Sequence, residues 1–296
     1  MDSSHQCRIC KSDTELKWPS NLESKISSDS FAITDAHYGQ TSAIYQCKQC
    51  GFRQCNELQD VLSFYENLED QEYENGRKER YLQAQALLKE LQNHCSSGRL
   101  LDVGAGSGIL VEAALETGYQ AEGIEPSTWL QEQAAERKLP VKKGILSDLP
   151  LEEAFDAITL IDVIEHVVDP IGLLKEINER LSSNGYAMIV TPDCQSFFAR
   201  LLRRKWWHYR VAHIGYFDLA TLKASCHQAG LEVVSVKRPG WFFTMDYLWV
   251  RLMQYVPRWM RCKPMNWMKR RTVSINLRDS LLVTVRSKRS DKNGES

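Results

Sequence analysis

The run Leu100-Leu101-Asp102-Val103-Gly104-Ala105-Gly106-Ser107-Gly108 constrains this chain more than any other segment. Apolar residues followed by alternating glycines describe a short buried strand that ends in a sharp turn, where the backbone approaches something that a Cβ would exclude. Ile109, Leu110, Ala113, Ala114 and Leu115 then recur at helical spacing. A helix therefore opens behind the turn, with its apolar stripe on the sheet and its free amides toward the turn. Residues 120–125 form a second strand that ends in the carboxylate of Glu125. A glycine turn between strand and helix, with an acid at the tip of the next strand, suits an adenosine whose ribose diol meets that acid. Taken alone, the glycines also fit an ordinary tight strand-to-helix turn, the lesser of the two readings. Glu125 and the segments below argue against that reading.

The glycine spacing separates two cofactor classes. A dinucleotide turn requires Gly-x-Gly-x-x-Gly, but Ile109 stands where the third glycine would fall. The glycines sit instead at 104, 106 and 108, with Asp102 two residues before the first. This resembles the Asp/Glu-x-Gly-x-Gly-x-Gly signature of class I S-adenosylmethionine (SAM) methyltransferases. Beyond it the chain alternates strand and helix, with strands expected at 141–145, 155–162 and 186–191 and helices at 129–138 and 171–181. The expected fold is α/β, a Rossmann-like doubly wound seven-stranded sheet, closed by residues 280–285 pairing antiparallel with 231–236. Ligands in such sheets sit beyond the carboxyl ends of the strands, which makes Asp102, Glu125, the segment after Ile145 and Asp162 neighbours.

Residues 155–170, Phe-Asp-Ala-Ile-Thr-Leu-Ile-Asp-Val-Ile-Glu-His-Val-Val-Asp-Pro, sharpen the resemblance. They look like the fourth motif of the methyltransferase group that includes ubiquinone and menaquinone biosynthetic enzymes. Trp206-Trp207-His208-Tyr209-Arg210 and His213-Ile214-Gly215-Tyr216-Phe217 resemble that group too, and the likeness covers roughly residues 98–236. It implies that backbone around Gly104, Ala105, Gly106 and Gly108 flanks the methionine part of SAM. By the same likeness, Glu125 and Pro126 hold the ribose, Ile145 and Leu146 edge the adenine, and Asp102 and Asp162 complete the cofactor site. Where many relatives place an Asp after the glycine of the third strand, this chain has Gly144-Ile145-Leu146, with Asp148 further on. The adenine amino group is then met by backbone carbonyls or by Asp148.

Methyl transfer from a sulfonium requires alignment of a nucleophile and, where needed, removal of its proton. His166 and His213 are the candidate bases, with Glu165 beside the first; each imidazole also suits a capping or packing role. Asp162, Glu165, His166 and His213 together are similar to the carboxylate and histidine set that binds a divalent ion in some small-RNA 2′-O-methyltransferases and catechol methylators. Such an ion would lower the pKa of an acceptor hydroxyl. Helix capping and cofactor contact are the alternative roles for these residues.

Length and cysteine spacing add a second module. At 296 residues the chain exceeds one typical domain. Cys7, Cys10, Cys47 and Cys50 form two Cys-x-x-Cys knuckles, and in a reducing compartment a tetrahedral structural zinc ion suits them better than disulfides. The other five cysteines lack partners at ligand spacing. The expected organisation is a zinc-ribbon-like module at 1–60, a linker and helix at 61–97, and a methyltransferase domain at 98–296 with cap and basic aromatic helices at 196–272. The tail at 287–296 reads as disordered.

The formal net charge of −1 gives no global bias toward nucleic acid. There is no apolar run of bilayer length and no basic-apolar leader, so a cytoplasmic location is expected. Residues 240–272 nevertheless interleave Trp241, Phe242, Phe243, Tyr247, Trp249, Tyr255, Trp259 and Trp267 with seven cations and the single acid Asp246. That composition suits peripheral membrane contact, an anionic or lipid-linked acceptor, base stacking, or a cap helix packed on the core. The expected activity is SAM-dependent methyl transfer to a hydroxyl, or to a carbon, of a small molecule, sugar or glycan, or lipid-linked acceptor. The alternatives are an RNA methyltransferase and a zinc-ribbon interaction protein whose SAM domain is not catalytic.

Overall fold

The computed structural model describes residues 6–22, 26, 28–31, 39–58, 61–254 and 256–288. The expected module boundary at Asp60, Tyr255 and residues 289–296 of the tail lie outside these. In chain order the N-terminal part contributes β1 (Thr14–Trp18), β2 (Ile44–Cys47), β3 (Arg53–Cys55), α1 (Leu62–Glu66), α2 (Gln71–Asn75) and α3 (Arg77–Leu91). The central part follows with β4 (Gly98–Val103), α4 (Ile109–Glu116), β5 (Tyr119–Glu125), α5 (Thr128–Glu136), β6 (Val141–Lys143), β7 (Phe155–Ile161), α6 (Pro170–Arg180) and β8 (Leu181–Pro192). The last part holds α7 (Phe197–Leu202), β9 (Gly215–Tyr216), α8 (Leu219–Gln228), β10 (Leu231–Lys237), β11 (Trp241–Thr244), α9 (Met245–Gln254), β12 (Thr272–Ile275) and β13 (Ser280–Ser287).

The seven-stranded sheet runs β10-β13-β8-β7-β4-β5-β6. Strands β6, β5, β4, β7 and β8 are parallel, and β13 runs antiparallel between β8 and β10. Parallel strands covered by helices on both faces must be apolar throughout. Accordingly Leu100, Leu101, Phe155, Ala157, Ile158 and Leu160 are fully buried. From β4 the chain steps outward through β5 to β6, then returns to the other side of β4 as β7. The order thus reverses at the carboxyl end of β4, which is where the glycine turn lies, and a crevice opens there.

The cysteine knuckles do not form a free-standing module. Strands β1, β2 and β3 make an antiparallel sheet whose fourth strand is β9, from the last third of the chain. Cys7, Ile9, Cys47 and Phe52 share one buried cluster with Leu101, Leu160 and Phe217 of the main domain. The expected linker is also more than a linker, because α3 packs on α4 and on β11. No helix among the described residues is long and apolar enough to cross a membrane.

Gly123 in β5 shows how tightly the crevice floor is built. A Cβ there would lie 2.5 Å from the Ala105 Cβ and 3.0 Å from Val111 Cγ2. Gly123→Ala is expected to lower the unfolding free energy by about 1–3 kcal/mol through overpacking. Urea unfolding monitored by tryptophan fluorescence measures it.

Candidate functional site

The cavity at the carboxyl ends of β4, β5 and β7 encloses about 1370 Å³. Its floor is the glycine turn, in which Gly104, Gly106 and Gly108 have φ of 73°, 54° and 75°, a region that side chains disfavour. Gly104, Ala105 and Gly106 line the cavity. Gly108 does not: it starts α4 in the left-handed conformation, close against Leu139 and Val141. Its left-handed conformation shapes the turn.

Glu125 joins the tips of β5 and β4. Its Oε2 accepts from the Gly106 amide at 2.8 Å, and its Oε1 accepts from the Ser127 amide at 2.8 Å. Each oxygen keeps a further lone pair for a hydroxyl. Burial raises its pKa to about 7 against the lowering effect of these amides. Asp102 accepts from the Thr159 hydroxyl at 2.6 Å, and burial likewise pushes it up to about 7. Pro126, Ile145, Leu146 and Asp162 also line the cavity, together with Gly144 and Ser147. Asp148 is absent from the wall. Its carboxylate accepts from the Ile145 amide at 2.8 Å and closes the 3₁₀ turn Leu146–Asp148.

Across the cavity, His166 and His213 stand in edge-to-face contact with centroids 4.7 Å apart. Nδ1 of His166 lies 2.8 Å from the Ala212 carbonyl, which can only accept, so Nδ1 carries the proton and Nε2 is the basic atom. Tyr65 Oη stands 2.5 Å from the same Nδ1. Desolvation holds His166 down at about 3, and burial together with His166 and Arg210 holds His213 well below the usual range. Both rings are therefore neutral near pH 7. Glu165 is 1% exposed and lies outside the wall residues, beside His166. Its Oε2 accepts from the Thr191 hydroxyl at 2.8 Å, whereas Oε1 has no partner among the described residues. Burial and the neighbouring Asp162 push its pKa well above normal.

One potential ligand atom from each of Glu165, His166 and His213 falls within 4.8 Å of the others. Two neutral imidazoles and an unpartnered buried carboxylate oxygen fit a divalent cation. Asp162, expected as a fourth member, is not in this group. The only other such group among the described residues is Cys7, Cys10, Cys47 and Cys50. There the Cys7–Cys50 and Cys10–Cys47 sulfurs are 3.6 and 3.3 Å apart. A tetrahedral zinc with Zn–S bonds of about 2.3 Å needs sulfurs about 3.8 Å apart, close to this arrangement.

Several wall residues were not picked out from the sequence. Tyr65, Tyr73, Arg80 and Gln83 come from the expected linker. Tyr73 fits because Gly106 has no side chain: a Cβ there would lie 2.6 Å from the Tyr73 hydroxyl. Arg80 stacks on the Tyr73 ring at 4.2 Å. Arg77 donates to the Ser107 hydroxyl at 3.0 Å and pairs with Glu112 at 2.5 Å, which holds α3 on the turn. The available signal was the aromatic tract at 64–73. Trp241, Phe243, Tyr247 and Arg251 close the far side.

The profile of a family described as a methyltransferase domain matches residues 74–236. The ubiquinone biosynthesis O-methyltransferase of Bradyrhizobium diazoefficiens is 31% identical over 132 residues, 41% of this chain and 47% of that protein. The mitochondrial ubiquinone biosynthesis O-methyltransferase of Candida albicans is 31% identical over 162 residues, 47% of this chain and 50% of that protein. The chain thus spans about half the length of these relatives. A chain from the complex of the Haloferax volcanii Trm112 methyltransferase activator with a methyltransferase superposes with a TM-score of 0.52. That match has 15% identity and covers 73% of this chain and 95% of the other; the likeness is one of fold.

With a ribose diol at Glu125, the ionised carboxylate would offer an acceptor to each hydroxyl and the protonated one would lose an acceptor. SAM affinity is therefore expected to rise with pH through about 7 and then level off. Glu125→Gln is expected to flatten this rise and weaken binding at pH 8 by about tenfold or more, the worth of a charged hydrogen bond. Calorimetric titration across the pH range checks both.

Proposed function

The chain belongs to this methyltransferase-domain family, and we propose on that premise that it moves the methyl group of SAM in line onto a hydroxyl of a small metabolite, a glycan or a lipid-linked molecule. That it is a SAM-dependent methyltransferase follows from the family match and the methyltransferase relatives. The choice of a hydroxyl rests on the Glu165, His166 and His213 group. A hydroxyl loses a proton as it attacks, and this group favours that loss through its fit to a divalent cation, since burial holds His166 at about 3, too low for an effective free base. The relatives whose names specify O-methylation support the same choice. The acceptor side of the wall is aromatic, with polar atoms set in it: Gln83 has both amide atoms and Asp246 has Oδ1 without partners among the described residues. Such groups suit an acceptor that stacks a ring or sugar face and presents further hydroxyls.

A divalent cation held by Glu165, His166 and His213 would supply Lewis acidity, lowering the pKa of the acceptor hydroxyl. His166→Asn and His213→Asn are each expected to reduce kcat by about 10²–10⁴ with little change in SAM affinity. The natural acceptor is sought by comparing metabolites of cells with and without the gene for a pair differing by one CH₂. Methyl entering RNA or a carbon atom instead would overturn the proposed acceptor class. Activity unchanged after chelation, with zinc retained at the cysteines, would remove the cation.

Zinc at the four cysteines fits as a brace for this site. Arg8, between two of the ligands, donates to the Cys55, Leu58 and Ile214 carbonyls at 2.7, 3.0 and 3.1 Å. Ile214 in turn donates its amide to the Glu165 carbonyl at 2.9 Å and follows His213 directly. Arg8→Ala is expected to lower kcat several-fold, more than it changes the SAM dissociation constant. Cys47→Ser should also release zinc, read by elemental analysis.

A further inference from the structure

We propose that the segment between β11 and β12 docks this protein on an anionic phospholipid surface. The two strands pair in register from Trp241 opposite Ile275 to Thr244 opposite Thr272, and the segment 245–271 is the connection between them. The ribbon is anchored: Thr272 donates its hydroxyl to Glu79 of α3 at 2.7 Å, and the Trp241 indole donates to the Ser280 hydroxyl at 3.1 Å. The connection is different in character. Trp259 is 84% exposed, Met265 59% and Trp267 50%, so large apolar side chains that a core would normally bury face solvent. Among them stand exposed Arg258, Arg261, Lys263 and Arg270. The segment has one acid, Asp246, and that residue lies on the cavity wall. Exposed indoles beside cations, without anions, match the apolar-to-anionic gradient of a phospholipid headgroup layer. Base stacking would also use indoles and cations, but the chain as a whole carries no excess positive charge.

The same segment supplies Phe243, Tyr247, Val250 and Arg251 to the cavity. An amphiphilic acceptor held in the bilayer surface therefore meets the wall that also grips the membrane, an extension that rests on the acceptor class proposed above. The test is flotation of the full-length protein with vesicles of phosphatidylcholine alone, or of phosphatidylcholine and phosphatidylglycerol in equal parts. Binding to the mixed vesicles and not to the neutral ones, weakened by raised salt, is expected. Two variants separate the contributions: Trp259→Ser with Trp267→Ser, and Arg258→Glu with Lys263→Glu and Arg270→Glu. Each should cut bound protein about tenfold or more while SAM affinity and thermal midpoint stay at the parent values. Equal binding to both vesicle types, no binding to either, or RNA displacing the protein from vesicles would overturn the proposal. SAM binding and methyl transfer measured on the same samples report on the enzymatic reading independently, because none of the substituted residues lines the cavity.

Discussion

The buried Glu125 carboxylate, gripped by the Gly106 and Ser127 amides, is the interaction on which the site depends. An isolated carboxylate in this position would cost several kcal/mol of lost hydration. Two backbone donors offset part of that cost, and burial still lifts the pKa to about 7. The balance leaves an acid that a ligand can complete. Because one donor belongs to the turn after β4 and the other to the start of α5, the carboxylate also fixes the distance between the tips of two strands. Everything added above it relies on that geometry: Tyr73 lies on Gly106, Arg77 reaches Ser107, and the Ser127 hydroxyl donates to the Leu68 carbonyl at 2.9 Å. The helices before β4 are thus pinned to the turn and form one wall of the cavity.

The opposite wall depends on a second junction. Strand β9 is only two residues long, too short to be stable by itself. It persists because β3 pairs with it and because Arg53 donates to the Tyr209 hydroxyl at 2.8 Å and the Cys194 carbonyl at 3.2 Å. His213 immediately precedes this strand pair. Its position therefore depends on the N-terminal strands as well as on the main sheet.

The sequence reading succeeded where a single local rule dominates. Strands β4 and β7 carry apolar runs because both faces are covered, and the glycine turn and Glu125 follow from backbone approach to a ligand. It fell short where tertiary pairing decides. Strand β8 begins at Leu181, five residues before the expected start, because Leu181 pairs with Phe155 across the polar Ser182, Ser183 and Asn184. Strand β6 stops at Lys143, short of Ile145, where Gly144 turns with φ of 137°. No periodicity marks β9, or the pairing of β11 with β12 across their long connection, since neither carries an alternation of its own. Within the site, Glu165, His166 and His213 lie together, Asp162 lines the cavity beside Glu165 without joining that group, and Gly108 and Asp148 act on the turns that hold them.

Cofactor and acceptor sides of the cavity are built from different material, and this explains why one could be read and the other could not. The cofactor side is largely backbone: left-handed glycines, two amides on Glu125, and the apolar edge at Ile145 and Leu146. Backbone demands restrict residue type severely, so they leave a sequence signature. Much of the remaining wall is made of side chains from Phe31 to Tyr73 and from Trp241 to Lys269, segments that lie outside residues 74–236. Aromatic stacking and a few polar atoms accept many residue types in many places. On the proposed function, divergence there would change what enters the cavity without disturbing the glycine turn, which places acceptor choice in the helices before β4 and the segment after β11, and the chemistry at the sheet.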